Sequence, residues 1–185
     1  GDTMPELSIT TISNPEDFVA AIRQRSPNSL YIYLEECFTI QEDSLEIIKS
    51  TYGRHTPSFM FADISVSYDK YNYNCFFPDN HSNKEIVFCP IITTALDIKL
   101  NINPKISHHS FSFLNQIRRK ITPWHIPQIL FNFKTDKENF QKIDTKNRLS
   151  NEDVEKIFAE LKEHTKSKKS YGIISTLVFL GLLTM

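Results

Sequence analysis

Glycine is scarce in this sequence, which contains only four in 185 residues. They are Gly1, Gly53, Gly172 and Gly181. The stretch between Arg54 and Tyr171 therefore cannot form a Walker loop, a dinucleotide fingerprint or a kinase glycine loop, because each needs backbone positions that only glycine supplies. The sequence predicts no nucleotide ligand, and no other feature indicates a cofactor.

An excess of positive charge is also missing. The chain has 21 Lys and Arg residues against 22 Asp and Glu residues, for a net charge of -1. Basic side chains supply most of the sequence-independent affinity for nucleic acid, so a nucleic-acid partner is not expected. The hydrophobic content of 40% is ordinary for one globular domain.

Cysteines are few, and their spacing does not favour a structural zinc site. Cys37, Cys75 and Cys89 form no CxxC pair. Their number allows one disulfide, between Cys75 and Cys89, with Cys37 left free, and it equally allows three free thiols. Asn80, in Asn-His-Ser, is a glycosylation sequon and favours a secretory compartment.

The histidines show no spacing typical of metal ligands. His108 and His109 are adjacent, and His125 follows Trp124. No pair occupies one helical face at a spacing suited to zinc. We therefore expect surface histidines and no metal.

The C-terminal run from Gly172 to Met185 is apolar and uncharged, and a basic flank at Lys166, Lys168 and Lys169 precedes it. It is shorter than the roughly 20 residues that cross a bilayer. Three interpretations stay open: a transmembrane helix truncated at the chain end, a buried or interfacial element, and a short tail anchor. Residues 166–185 are therefore separated from a domain over residues 1–165.

Hydrophobic periodicity within that domain alternates between strand and helix patterns. Strands are predicted over Leu7–Ile12, Ser29–Leu34, Ser58–Val66, Gln128–Phe133 and Phe140–Ile143, and helices from Asn14 to Ile22, Thr39 to Tyr52 with Gly53 as the stop, Ser110 to Ile121, and Ser150 onwards. An insertion at about residues 68–106 carries two further strands, Glu85–Ile92 and Leu96–Ile102. This order predicts an α/β fold with a mixed sheet covered on both faces.

Three segments resemble the thioredoxin-like superfamily. Leu30–Leu34 followed by Cys37 resembles the central strand and active-site loop, Phe59–Ile64 the next strand, and Ile126–Pro127 the cis-proline before a strand. The resemblance implies a three-layer thioredoxin-like fold with an inserted β-rich segment. With the apolar end, the layout is similar to a membrane-anchored, redox-inactive protein disulfide isomerase-type domain of the endoplasmic reticulum.

The departures from that family decide the expected function. The tetrad that begins at Cys37 has Ile40 where the resolving cysteine should be, Glu36 replaces the usual aromatic residue, and Tyr31 replaces a buried acid. Dithiol oxidoreductase activity is therefore not expected. Two hypotheses remain: a non-catalytic protein-binding or chaperone-like module, and a single-cysteine exchange protein acting through Cys37 at a helix start. An inert buried Cys37 fits the first.

The resemblance also implies a binding site for protein or extended peptide. A cis bond would present the backbone of Ile126 beside Pro127, with Phe38 and Trp124 close by. The alternative is a cis-proline kept only as a turn. The aromatic cluster of Tyr68, Tyr71, Tyr73, Phe76 and Phe77 predicts either an interaction surface or packing of the insertion.

Beside the binding module and the single-cysteine exchange protein, a third hypothesis is that the chain has an α/β fold unrelated to the thioredoxin-like superfamily.

Overall fold

The computed structural model describes residues 6–24, 26–68, 70–79, 89–94 and 121–136, together with residues 152, 155, 158, 159 and 161–163. The elements are β1 (Ser8–Ile12), α1 (Pro15–Ile22), β2 (Ser29–Tyr33), β3 (Phe38–Ile40), α2 (Ser44–His55), β4 (Phe59–Tyr68), β5 (Tyr71–Cys75), β6 (Ile91–Thr94) and β7 (Trp124–Thr135). The residues described between 152 and 163 are helical, as predicted for the last helix.

The strands form one mixed sheet in the order β1-β2-β6-β4-β7-β3, with β5 paired to β4. The pairs β1 with β2 and β4 with β7 are parallel, whereas β6, β5 and β3 run antiparallel to their neighbours. The chain is therefore α/β with a mixed sheet, as the alternation of patterns predicts.

The stretch expected to be an insertion contributes to the main sheet. Strand β6 lies between β2 and β4, so it is an internal strand and not an appendage. Its bounds, Ile91–Thr94, overlap the predicted Glu85–Ile92 strand only at its end. The other predicted strand, Leu96–Ile102, lies outside the described residues.

The prediction of a helix from Thr39 is wrong. Residues Phe38–Ile40 form the edge strand β3, which pairs with Phe131–Phe133 of β7. Helix α2 begins at Ser44, after Asp43 in a left-handed conformation, and continues past Gly53 to His55. The alternation of Phe38, Thr39 and Ile40 suits a strand whose apolar side chains face the core, and tertiary pairing outweighs the helical spacing further along.

Strand β7 is longer than predicted and contains Pro127. Its register against β4 shifts on both sides of Asp63, so that Ala62 pairs with Ile126 while Asp63 pairs with Ile129. Proline cannot donate a ladder hydrogen bond, and a bulge is one of the few places where a strand accepts it. The peptide bond before Pro127 is trans, which contradicts the expected cis-proline.

The last helix packs on one face of this sheet. Ile64 and Val66 of β4 are in register with Phe131 and Phe133 of β7, and all four are buried. The Phe158 ring lies 3.8 Å from Tyr68 and 6.0 Å from Phe133 between centroids. This contact confirms that Phe158 belongs to the apolar stripe of the helix.

Candidate functional site

The centre of the candidate site is a short gap along one edge of β4. Strand β6 pairs with β4 at Phe59 and Met60, and β5 begins to pair only at Ile64. Between them, the Ala62 amide donates to the Cys89 sulfur at 3.3 Å, and the Phe77 amide donates to Asp63 Oδ1 at 2.8 Å. Buried backbone amides need partners, and here Cys89 supplies one to the Ala62 amide of β4, while Asp63 of β4 supplies one to the segment that follows β5.

His125 lies beside this gap and joins two carboxylates. Its Nε2 is 2.8 Å from Asp63 Oδ1 and its Nδ1 is 2.7 Å from Asp79 Oδ1. The side chain of Asp63 is 0% exposed and that of His125 6%, whereas that of Asp79 is 80% exposed. The imidazole also stacks on Phe61, its partner in the β4 register, at 4.8 Å.

The electrostatics of this cluster favour a charged histidine. Burial by itself lowers the pKa of His125, but the hydrogen bonds and negative charges of Asp63 and Asp79 outweigh it, and the pKa is raised. A neutral imidazole has one N–H, so only the protonated ring donates to both carboxylates at once. The expectation of surface histidines is wrong for His125, whose side chain is only 6% exposed. Its buried partner Asp63 is 62 positions away in the sequence, so no local spacing indicates the contact.

This arrangement suits a structural role for His125, which links two carboxylates, better than the role of a catalytic base. Both ring nitrogens of His125 are engaged by carboxylates, so neither has a lone pair directed at a nucleophile. The cluster connects β4, β7 and the segment that follows β5. In the sequence, His125 stands out only as the neighbour of Trp124. The signal for this cluster is Asp63, an acid within the apolar run from Phe59 to Ile64.

The three cysteines are buried, and none of them is in a disulfide. The disulfide that the sequence allows between Cys75 and Cys89 is not formed. Cys75 Sγ instead donates to the Leu161 carbonyl at 3.2 Å, and Cys89 Sγ to the Pro90 carbonyl at 3.2 Å. Burial and the charge of Asp63 raise the pKa of Cys75 to about 12, and burial is the main cause that raises the pKa of Cys89. Both thiols therefore stay protonated at neutral pH.

Cys37 does not occupy a helix N-terminus. It precedes strand β3, and its carbonyl accepts a hydrogen bond of 3.0 Å from the Lys134 amide. The nearest following helix begins only at Ser44. The position expected to stabilise a thiolate is thus a turn position just before a strand, and no helix begins there to favour a thiolate through its dipole.

The residues predicted to bind peptide are divided between two ends of β7. Phe38 is buried against Phe133, with ring centroids 4.9 Å apart, near the end of the strand. Trp124 begins the strand, is 40% exposed and stacks on His55 at 4.4 Å. Ile126 is buried, whereas Pro127 of the bulge is exposed. Trp124 and Pro127 are therefore both exposed in the first part of β7, whereas Phe38 is buried near its other end.

Helix α2 packs along β7 and contacts Trp124 through its last residue. The Ser44 hydroxyl, at its first residue, donates to the Leu130 carbonyl of β7 at 2.8 Å, and His55, at its last residue, stacks on Trp124. The helix thus runs antiparallel along β7. We call the stacked pair of Trp124 and His55 the Trp124 platform.

Other candidate features are not found in the described part of the chain. Within it, no group of three or more His, Cys, Asp and Glu side chains is placed to hold a metal ion. No helix among the same residues is long and apolar enough to cross a bilayer. Asn80 and residues 172–185 lie outside the described residues. No protein-family model matches the chain, and no curated protein matches it.

Proposed function

We propose that this chain is a non-catalytic protein-binding domain whose contact surface is centred on the Trp124 platform. The main support for this proposal is that the Trp124 side chain is 40% exposed while its ring stacks on His55, with the ring centroids 4.4 Å apart. Large aromatic side chains dominate the energetics of protein interfaces, and a ring whose orientation is already constrained loses little entropy on binding. Pro127 and Gln128 of β7 are also exposed.

The state of the reactive groups in the described residues supports binding over catalysis. The pKa values of Cys75 and Cys89 are raised, and Cys37 is buried ahead of a strand. His125 has both nitrogens bound to carboxylates. Single-cysteine exchange through Cys37 needs an accessible sulfur, and the burial of this side chain does not favour it.

The proposed relation to thioredoxin-like proteins rests on the early element order and the mixed sheet. Strand β1, helix α1 and strand β2 follow one another as in that family's layout, and β2 is buried as expected. The trans bond before Pro127 and the strand at Phe38–Ile40 do not support the finer resemblance. The protein-binding proposal does not depend on it.

The test compares two apolar side chains of equal exposure. Trp124, on β7, is 40% exposed, and Leu45, near the start of α2, is 39% exposed. The probe is a fluorescently labelled, reduced and carboxymethylated protein that stays unfolded, and binding is measured by anisotropy. We expect Trp124→Ala to weaken binding about 30-fold, which corresponds to a hot-spot loss of about 2 kcal/mol. Leu45→Ala should bind like the unaltered protein.

Either of two results would contradict the proposal. The unaltered protein could fail to bind the unfolded probe, or Trp124→Ala and Leu45→Ala could bind it equally well. A His55→Ala variant adds a graded case, because it removes the stacked support and keeps the indole. We expect it to bind more weakly than the unaltered protein and more tightly than Trp124→Ala.

The proposal includes membrane association through residues 172–185, within the endoplasmic reticulum or secretory pathway. Its support is the uncharged apolar composition of this run and the basic flank before it. The full chain should float with phosphatidylcholine vesicles in a density gradient, and a chain ending at residue 165 should not. If the full chain and the shortened chain both stay at the bottom of the gradient while the vesicles float, membrane association is contradicted. The protein-binding proposal is not affected by that result.

A further inference from the structure

Strand β1 lies at one edge of the sheet, and the hydrogen bonds at its two ends define which backbone groups face outward. The Ser8 amide donates to the Asn28 carbonyl at 2.9 Å, and the Leu34 amide donates to the Ile12 carbonyl at 3.0 Å. In a parallel ladder, alternate residues direct both backbone groups to the same neighbour. Ser8, Thr10 and Ile12 therefore face β2.

The residues between them have the opposite orientation. The N–H and C=O groups of Ile9 and Thr11 point away from β2, towards the outer edge of the sheet. In the part of the chain that the structure describes, no strand pairs with this edge. The side chains of Ser8, Thr10 and Thr11 are exposed.

This edge lacks the features that usually prevent strand pairing. The sequence from Leu7 to Ser13 contains no charged residue and no proline, and the pairing of β1 with β2 is regular, without a bulge. Natural proteins protect edge strands with charges, proline, bulges or short length. The opposite edge strand, β3, is only three residues long and follows Glu35 and Glu36.

We propose that two copies of this chain associate through β1, which pairs antiparallel with β1 of the second copy about a two-fold axis at Thr10. Ile9 of each copy then lies opposite Thr11 of the other, and each pair exchanges two backbone hydrogen bonds, about four in total. The two sheets become one continuous sheet across the axis.

The strand is self-complementary, which favours a second copy as the occupant. The same two residues supply all the donors and all the acceptors, as an isologous interface requires. The absence of charge removes the repulsion that two identical charged edges would experience on either side of the axis. Since five residues a side form a small interface, the dimer should depend on concentration.

Thr11→Pro tests the pairing without disturbing the sheet. The Thr11 amide faces outward and is not used by β2, and an edge strand accepts proline where its N–H would face solvent. Thr11→Val keeps the amide and is the matched control. Sedimentation velocity over a concentration series measures association, and circular dichroism with Trp124 emission verifies that each variant is folded.

We expect the unaltered protein and Thr11→Val to dimerise with similar affinity. Thr11→Pro should associate at least about tenfold more weakly, because each dimer loses two donors and gains two obstructing rings. A protein that stays monomeric at every concentration would overturn the proposal, as would undiminished dimerisation of Thr11→Pro.

A second pair of variants leaves the backbone unchanged and keeps the test decisive if the proline variant does not fold. Thr10→Lys and Thr10→Glu each place like charges directly opposite one another across the axis, which destabilises strand pairs. We expect each variant alone to be monomeric and their mixture to form a heterodimer that salt weakens. Dimers of either variant alone, with unchanged affinity, would refute pairing at this edge. The association is independent of the Trp124 platform, so Trp124→Ala should dimerise normally.

Discussion

Replacing His125 with alanine should destabilise the protein far more than replacing Asp79, although both side chains belong to one hydrogen-bonded cluster. The Asp63 carboxylate is 0% exposed and lies 2.8 Å from His125, so the substitution leaves a buried charge without its cationic partner. Removing one member of a buried ion pair costs about 3–5 kcal/mol. Asp79 is 80% exposed, and an exposed pair contributes about 0.2–1 kcal/mol.

A double variant isolates the cause of that loss. Asp63→Asn in the His125→Ala background removes the buried charge and keeps the side-chain volume, so the double variant should be more stable than His125→Ala alone. Urea unfolding measures the free energy of unfolding of each protein. Circular dichroism should be the primary signal, because Trp124 lies next to the substituted residue. Equal losses for His125→Ala and Asp79→Ala, or a loss below about 1 kcal/mol for His125→Ala, would refute the reasoning.

The same cluster predicts the sign of a pH dependence. Since the pKa of His125 is raised on folding, the folded chain binds a proton that the unfolded chain releases at the same pH. The stability contributed by His125 is therefore fully present below the ordinary histidine pKa and is lost as the pH rises through the raised folded value. The difference in unfolding free energy between the unaltered protein and His125→Ala should shrink over that interval. A difference that grows with pH would contradict the assignment.

Three further predictions concern the packing. In the folded protein a thiol-reactive probe should leave Cys75 and Cys89 unmodified at neutral pH, and both should react in urea; rapid labelling of native Cys37 would instead favour the single-cysteine hypothesis. Asn14→Ala should cost about 1 kcal/mol of unfolding free energy in a urea titration, because its Oδ1 caps α1 at 3.0 Å from the Asp17 amide, and an unchanged midpoint would contradict the cap. Phe158→Ala should cost about 3–5 kcal/mol in the same assay, since its ring packs on the sheet, and a loss typical of a surface position would place that helix elsewhere.

Local sequence patterns predicted the elements whose signals are contained within a few neighbouring residues. The Asn14 cap and the proline after it predicted the start of α1, and the structure confirms both. The uncharged run at Ser29–Leu34 predicted a buried strand, and β2 is buried at four of its five positions. Phe158 and Leu161 were predicted to share an apolar stripe, and both are buried.

Predictions that depended on distant partners were less successful. The Phe38–Ile40 segment became a strand because it pairs with β7, more than 90 residues away along the chain, and the helix start moved to Ser44. The prediction of a cis bond before Pro127 is wrong, since the structure accommodates this proline with a trans bond in a bulge of β7. The site at His125 was missed for the same physical cause, because its two carboxylates come from different elements.

The sequence by itself determined the absence of glycine-rich phosphate loops, the neutral charge balance, and the alternation of strands and helices that leads to an α/β sheet. These properties are local or additive, so they can be counted along the chain. Only the tertiary structure decided that β6 lies inside the sheet, that Asp63 and Asp79 meet at His125, and that the edge of β1 faces outward. Each of those depends on strand order and register, which arise when distant segments bury their apolar surfaces and pair their backbone groups together.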